Sequence, residues 1–496
     1  MIFSSVFFLF VFLPLFIGGY YLTPMRHRSW IILAGSYVFY GWWRVDFLLL
    51  LMLTTAWNFQ FGKMIYAAHE EGDRRRAKRL LAVAIVGDLC VLGYFKYWNF
   101  FVDSLAITFN GGEAFSPLFG QVILPIGISF YTFQAISYVV DVHRRDAEPA
   151  RNLVDFAAFI ALFPQLIAGP VLRYKDLADQ FVEREHSMEK FGEGARRFFL
   201  GLAKKVLIAD SVAPVADAMF ALENPTMAEA WLGAIAYTIQ LYFDFSGYSG
   251  MAIGLGLMLG FRFIENFRYP YISRSITEFW RRWHQSLSAW LRDYLYIPLG
   301  GNRLGVRRTY VNLFMTMVLG GLWHGANWTF VLWGAWHGAL LAMERAQGVD
   351  PKAPRPLYAW PMTMLAVMVG WVMFRAENVS AGFDMLSGMA GLNGFAVRDL
   401  YAWQISRFAL FMTLVGIVIC WLEPRADGTP RSVQLPEKPR LGQASKPLFG
   451  VLQLVSVSTR TVWRSAAAAA TASILGLAAV VKLVADKDSP FLYFQF

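Results

Sequence analysis

Apolar runs long enough to cross a bilayer recur along almost the whole of this chain, and the links between them collect its basic residues. A hydrocarbon core requires roughly 20 apolar residues per helical crossing, so such runs commit the chain to a bundle of membrane helices. Composition agrees. Charged residues make up 16% of the 496 positions, where a soluble domain carries about 25%. The expected fold is an all-α polytopic membrane protein with about eleven transmembrane helices, joined by re-entrant or interfacial helices.

The net charge of +10 does not point to nucleic acid, because the basic residues sit in short links between apolar runs. Arg26, His27 and Arg28 form one link; Arg74, Arg75, Arg76, Lys78 and Arg79 a second; Arg144, Arg145 and Arg151 a third. Cytoplasmic loops carry this bias. Residues 1–22 lack a basic leading region and a small-residue cleavage site, so they read as a retained first helix. Residues 30–42 then lead out, 47–61 lead back, 80–98 lead out to a weakly acidic loop with Asp103 and Glu113, and 122–140 return. This alternation places the N-terminus outside. Residues 1–496 form a single integral membrane domain. Residues 424–464 are expected to be a basic cytoplasmic loop, and 465–496 the last span with an aromatic tail outside. Cys90 and Cys420 are isolated in apolar runs, which indicates neither a disulfide framework nor a thiolate metal site.

Several segments carry breaks or charge at membrane depth. Residues 156–172 are interrupted by Pro164 and Gly169-Pro170, tolerated only where protein covers the freed backbone or a cavity adjoins it. Lys204, Lys205 and Asp210 fall within 199–220, and Asp244 within 228–260, so these spans belong inside the bundle. Gly254-x-Gly256 reads as helix packing rather than phosphate binding. In 274–301, Ser275 and Glu278 have capping-box spacing. Trp280, Trp283, Leu287, Trp290 and Tyr294 recur on one helical face, with Arg281, Arg282, His284, Gln285, Ser288 and Arg292 on the other. That pattern predicts an amphipathic interfacial helix or a re-entrant hairpin.

Among the seven histidines, His27, His69, His143 and His186 lie in charged links. His324 sits in a stretch, 309–343, without Asp, Glu, Lys or Arg. An ionisable side chain in such surroundings is a functional candidate, and imidazole exchanges protons near neutral pH. His337 lies thirteen residues on, and Gly325 and Gly334 interrupt any continuous helix between them. The H-x-x-x-H spacing of a zinc helix is absent and no carboxylate or thiolate cluster accompanies these histidines, so no metal site is expected. A G-x-S-x-G nucleophile turn is also absent. His324 therefore reads as a general base that takes a proton from an attacking hydroxyl, as a satisfied structural residue, or as part of a transport path in a transporter or flippase.

Four motifs move that balance: Pro125-Ile-Gly-Ile-Ser-Phe-Tyr-Thr-Phe-Gln134, Phe163-Pro-Gln-Leu-Ile-Ala-Gly-Pro170, Phe279-Trp-Arg-Arg-Trp-His284 and Leu322-Trp-His-Gly325. Together, in this order, the chain resembles the membrane-bound O-acyltransferase family from the first span to about residue 345. Within it the chain is similar to the bacterial branch that O-acetylates alginate, and more distantly to the branch that D-alanylates teichoic acid. The resemblance implies a helical bundle around a central cavity, with His324 as the catalytic histidine and His284 at the second polar position, where it binds or orients donor or acceptor. Asp244, Arg281, Arg282, Asn327 and His337 are implied as supporting groups. It further implies an inner-membrane acetyltransferase with both termini periplasmic, no bound cofactor, acetyl-CoA or another acyl thioester as donor, and periplasmic O-acetyltransferase partners of a polysaccharide pathway. Cellulose, peptidoglycan and D-alanyl transfer remain alternatives. The tail 491–496 resembles the aromatic C-terminal motif of a partner peptide in the D-alanyl branch, which makes Tyr493 a candidate acyl carrier; an interfacial aromatic anchor is the other reading.

Overall fold

Helix follows helix through the computed structural model, which describes residues 1–109, 120–350, 353, 355–399, 405–426 and 459–486. The first half contributes α1 (Leu13–Leu22), α2 (Arg28–Gly41), α3 (Val45–Glu70), α4 (Arg74–Leu92), α5 (Trp98–Phe109), α6 (Ile128–Arg144), α7 (Leu153–Ile160), α8 (Phe163–Leu166), α9 (Tyr174–Val182) and α10 (Met188–Ala203). After it come α11 (Asp210–Phe220), α12 (Met227–Met258), α13 (Ile276–Arg282), α14 (Gln285–Trp290), α15 (Val306–His324), α16 (Trp328–Ala346), α17 (Ala359–Arg375), α18 (Val379–Met389), α19 (Arg407–Ala426) and α20 (Thr459–Asp486).

Among the described residues, three helices are long and apolar enough to cross a membrane: Val45–Glu70, Arg74–Ala106 and Ala468–Asp486. Shorter apolar helices occupy Phe8–Leu22, Ala359–Arg375 and Arg407–Leu422. These do not add up to about eleven, because other apolar runs are short, broken or carry polar residues. The run at 156–172 divides into α7 and α8 at Ala161–Leu162, with Pro164 in the first turn of α8, and its residues are buried throughout, so protein covers the interruption.

The axis of the bundle is α12, 32 residues long and buried over most of its length. Thr226 and Glu229 start it with a reciprocal capping box, which satisfies two of the orphan donors of its first turn. Close approach to α10 depends on a glycine seam. A Cβ on Gly194 would stand 2.6 Å from the Gly254 carbonyl, and one on Gly201 would stand 2.5 Å from the Gly247 carbonyl. Lipid offers no hydrophobic drive for helix association, so backbone proximity at small residues does that work. Gly254 is thus a packing residue, as its setting in the sequence suggested.

Segment 274–301 departs from a single amphipathic helix. Ser275 caps α13 through the Glu278 amide, but the chain breaks at His284 (φ 44°) before α14 begins. Arg282, Trp283, His284, Leu287 and Trp290 are all buried, so both faces lie inside the protein rather than on its surface. Trp290 stacks on Phe133 of α6 at 3.6 Å between ring centroids and donates to its carbonyl at 2.9 Å. At the far end, Asp293 pairs with Arg173 at 2.7 Å, and the Tyr294 hydroxyl donates to Asp141 at 2.7 Å. Charged groups thereby clamp the exit of the segment to α6 and to the chain entering α9.

Candidate active site

His324 is the last residue of α15. The chain turns through Gly325, and Asn327 starts α16 by accepting from the Thr329 amide at 3.1 Å. The two helices form a tight hairpin, with Gly334 against the Met317 and Val318 backbone. The imidazole is 6% exposed and is ringed by Trp323, Trp333 and Phe374 at centroid distances of 5.0–5.3 Å. His324 is also among the residues that line a cavity of about 490 Å³, together with Tyr40, Lys96, Ser129, Phe130 and Trp323. A base held in apolar walls at the edge of a cavity can reach a reactant while water is largely kept out.

His284 faces His324 with 6.3 Å between ring centroids. It is fully buried and adopts left-handed backbone angles (φ 44°, ψ 54°). A non-glycine residue held there costs on the order of 1–3 kcal/mol and persists where surroundings enforce it. The enforcing residue is Asn266, whose Oδ1 takes hydrogen bonds from the Ser286 hydroxyl at 2.8 Å, the Ser286 amide at 3.3 Å and His284 Nδ1 at 3.1 Å. The amide donor from Ser286 requires an acceptor there, which fixes the Asn266 carboxamide orientation and puts the His284 proton on Nδ1. Nε2 is left as the lone-pair nitrogen, without a hydrogen-bond partner among the described residues.

Asn266 also lines a second cavity, of about 880 Å³, together with Lys204, Ser246, Ser249, Arg268 and Gln285. The two imidazoles therefore stand between two cavities: His324 on the wall of one, and His284 bonded to a residue on the wall of the other.

The supporting residues divide. Arg282 bonds Glu278 at 2.9 Å and the Arg268 carbonyl at 3.0 Å, so it fixes the strip that carries Asn266. Arg281 is exposed and is not part of this arrangement. Asp244 pairs with Lys205 at 2.8 Å, and Lys205 also bonds Asp210 at 2.5 Å; this network joins α12 to the π-helical turn before α11. Asn327 holds the turn after His324 and donates to the Glu377 carbonyl at 2.9 Å. His337 is packed among Trp280, Trp333 and Trp371 and accepts from Trp280 at 3.4 Å, on a different helix from His324. Tyr493 and most of the basic loop at 424–464 lie outside the described residues. Lys96, Ser129, Asn266 and Ser286 were not singled out from the sequence. For Lys96 a signal existed, a lone cation in the apolar run 80–98; for Asn266 none did, because only the fold brings it to His284.

Comparison with known proteins agrees with this architecture. The chain is 54% identical over 512 residues to the probable alginate O-acetylase of Azotobacter vinelandii, covering all of both chains. It is 35% identical over 441 residues to the peptidoglycan O-acetyltransferase of Helicobacter pylori, covering 81% of this chain and 82% of that protein. A teichoic acid D-alanyltransferase of Bacillus subtilis is 29% identical over 221 residues, 40% of this chain and 53% of that one. The family model for membrane-bound O-acyltransferases matches residues 32–349, which hold all four sequence motifs and both facing histidines. The transporter reading gives way to an enzymatic one: the chain belongs to the membrane-bound O-acyltransferase family and is a membrane acyltransferase.

Proposed function

We propose that this enzyme passes acetyl groups from a cytoplasmic thioester to the periplasmic side of the bacterial inner membrane for O-acetylation of alginate. The observation that carries the reading is the His284–His324 pair standing between two cavities. Full-length similarity to alginate O-acetylases supports the choice of polymer over peptidoglycan, cellulose or teichoic acid. We take the 880 Å³ cavity, with the basic Arg197, Lys204 and Arg268 on its wall, to open toward the cytoplasm and to receive the donor. The 490 Å³ cavity, beside Met1 and Trp43, lies toward the periplasm and receives the acceptor.

In the transfer, His324 takes the proton of the acceptor hydroxyl as that oxygen bonds to the acyl carbon. The carbonyl electron pair moves to oxygen; its return breaks the C–S bond, and the leaving thiolate recovers the proton. General acid–base assistance of this kind is worth about 10²–10⁴-fold. His284 orients the acyl group through Nε2, and Arg282 and Asn327 keep the two histidines in place. Acetyl-CoA is the simplest donor, and periplasmic O-acetyltransferase partners complete the pathway. Tyr493 is proposed as a carrier whose hydroxyl accepts the acetyl at the outer mouth. Cells carrying His324→Ala should accumulate the protein in the membrane while their alginate lacks acetyl esters; normal acetyl content would refute the assignment. Tyr493→Phe should lower acetylation sharply, and full acetylation would remove the carrier step alone.

A further inference from the structure

Between α4 and α5 the helix passes through a π-helical turn, Gly93–Tyr97. Such turns add a residue within an otherwise α-helical rod and recur at functional positions. This one carries Lys96, a cation in an apolar run and on the wall of the same cavity as His324. Its ammonium donates to the Trp323 carbonyl, to the His324 carbonyl at 3.3 Å and to the Ser129 hydroxyl at 3.1 Å. The neighbouring Tyr97 hydroxyl donates to the Leu322 carbonyl at 2.8 Å. Two adjacent side chains from this turn thus satisfy three successive carbonyls at the end of α15. Terminal helix carbonyls lack partners in their own helix and form its negative end, so a cation is well matched to them. The residue closing that helix is His324 itself.

Ser129 makes the second half of the arrangement. It lies in the first turn of α6, after Gly127 (φ 76°), and its oxygen accepts from Lys96. Its own proton is then a donor, polarised by the ammonium, on the wall of the cavity that His324 also lines.

We propose that Lys96 is a positioning residue for acyl transfer, tying the end of α15 to Ser129 so that the His324 imidazole and the Ser129 O–H act on one reacting group. While His324 takes the proton of the attacking hydroxyl, the carbonyl oxygen gains the displaced electron pair and Ser129 donates a hydrogen bond to that oxyanion. When the oxyanion collapses, the C–S bond breaks and the thiolate takes the proton from His324. A donor aimed at developing charge acts in the transition state. This proposal rests on His324 being the base.

The test uses the purified full-length protein in vesicles. Lys96→Met and Ser129→Ala should each lower kcat about 100-fold, the scale of losing one oxyanion donor, with KM for the thioester nearly unchanged. Because the two residues act as a unit, the double variant should be little slower than either alone. Lys96→Cys should be equally slow, and aminoethylation of the introduced thiol with 2-bromoethylamine, which rebuilds a lysine-like ammonium on the same folded protein, should restore most of kcat. Identically treated parent protein, bearing Cys90 and Cys420, is the control, and mass spectrometry verifies alkylation at position 96. Multiplicative losses in the double variant, a KM effect alone, unaltered kcat in Lys96→Met, or no recovery after verified alkylation would each overturn the proposal. His324→Ala assayed alongside judges the base assignment separately, since its retention of full activity would defeat that assignment whatever Lys96 does.

Discussion

The imidazoles of His284 and His324 stand 6.3 Å apart at an interplanar angle of 61°, yet their settings differ. His284 is fully enclosed and tied through Nδ1 to Asn266, whereas His324 ends a helix at a cavity wall. One ring is anchored through a ring nitrogen, and the other is enclosed by aromatic side chains beside a cavity. That asymmetry suits an orienting group paired with a base.

Removing the group that holds His284 should therefore slow the chemistry without emptying the site. Asn266→Ala leaves the Ser286 amide and hydroxyl without their acceptor and frees the His284 ring. We expect kcat to fall about 10- to 100-fold, the scale of losing a partner that orients a functional histidine. Asn266→Asp keeps the oxygen and should retain much more activity. Equal losses in the two variants, measured by acetyl transfer from a thioester, would show that the Oδ1 contact is unimportant.

The α10–α12 seam makes a prediction of opposite signs. Gly254→Ala places a methyl against the Gly194 carbonyl and the Phe198 amide, and overpacking of this kind costs about 1–3 kcal/mol. Gly192, on the same α10 helix, has open space around its missing Cβ. Gly192→Ala should leave stability unchanged or raise it by up to about 1 kcal/mol, from helix propensity. Thermal unfolding in detergent distinguishes the two; a Gly254→Ala protein as stable as the parent would contradict the close packing.

Trp290 anchors segment 274–301 to α6. Its indole stacks on Phe133 with an interplanar angle of 4° and bonds the backbone beneath. Trp290→Ala should cost about 3–5 kcal/mol, as other large-to-small core changes do, and should lower the yield of folded protein. Trp290→Phe keeps the stack and gives up only the indole N–H bond to a carbonyl that retains its helical donor, so its loss should be smaller. An unfolding midpoint unaffected by Trp290→Ala would mean that the segment is anchored elsewhere.

Much of this was legible in the sequence for physical reasons. Apolar runs, Pro164, and charges such as Lys205 and Asp244 in apolar surroundings read directly, because lipid leaves buried polar groups few options. The ordered motifs pointed to His284 and His324. The point at which 274–301 breaks is not visible in the sequence, because the spacing of Trp280, Trp283 and Leu287 fits a continuous helix even though His284 turns the backbone; the hairpin alternative allows for such a break. Asn266 and Ser129 escaped notice for a different reason: each is an ordinary polar residue until tertiary packing brings it to its partner. Lys96 was visible only as an isolated charge, and its three acceptors come from α6 and α15, more than thirty residues away in sequence.

The most direct test is acetyl transfer in vesicles reconstituted with the full chain and given an isotopically labelled acetyl thioester on one face, with a hydroxyl acceptor on the other. The parent protein should deliver label across the membrane as an ester. His324→Ala, present in equal amount and equally folded, should deliver almost none. Label transferred at the parent rate by His324→Ala would contradict the central claim that this histidine carries the reaction.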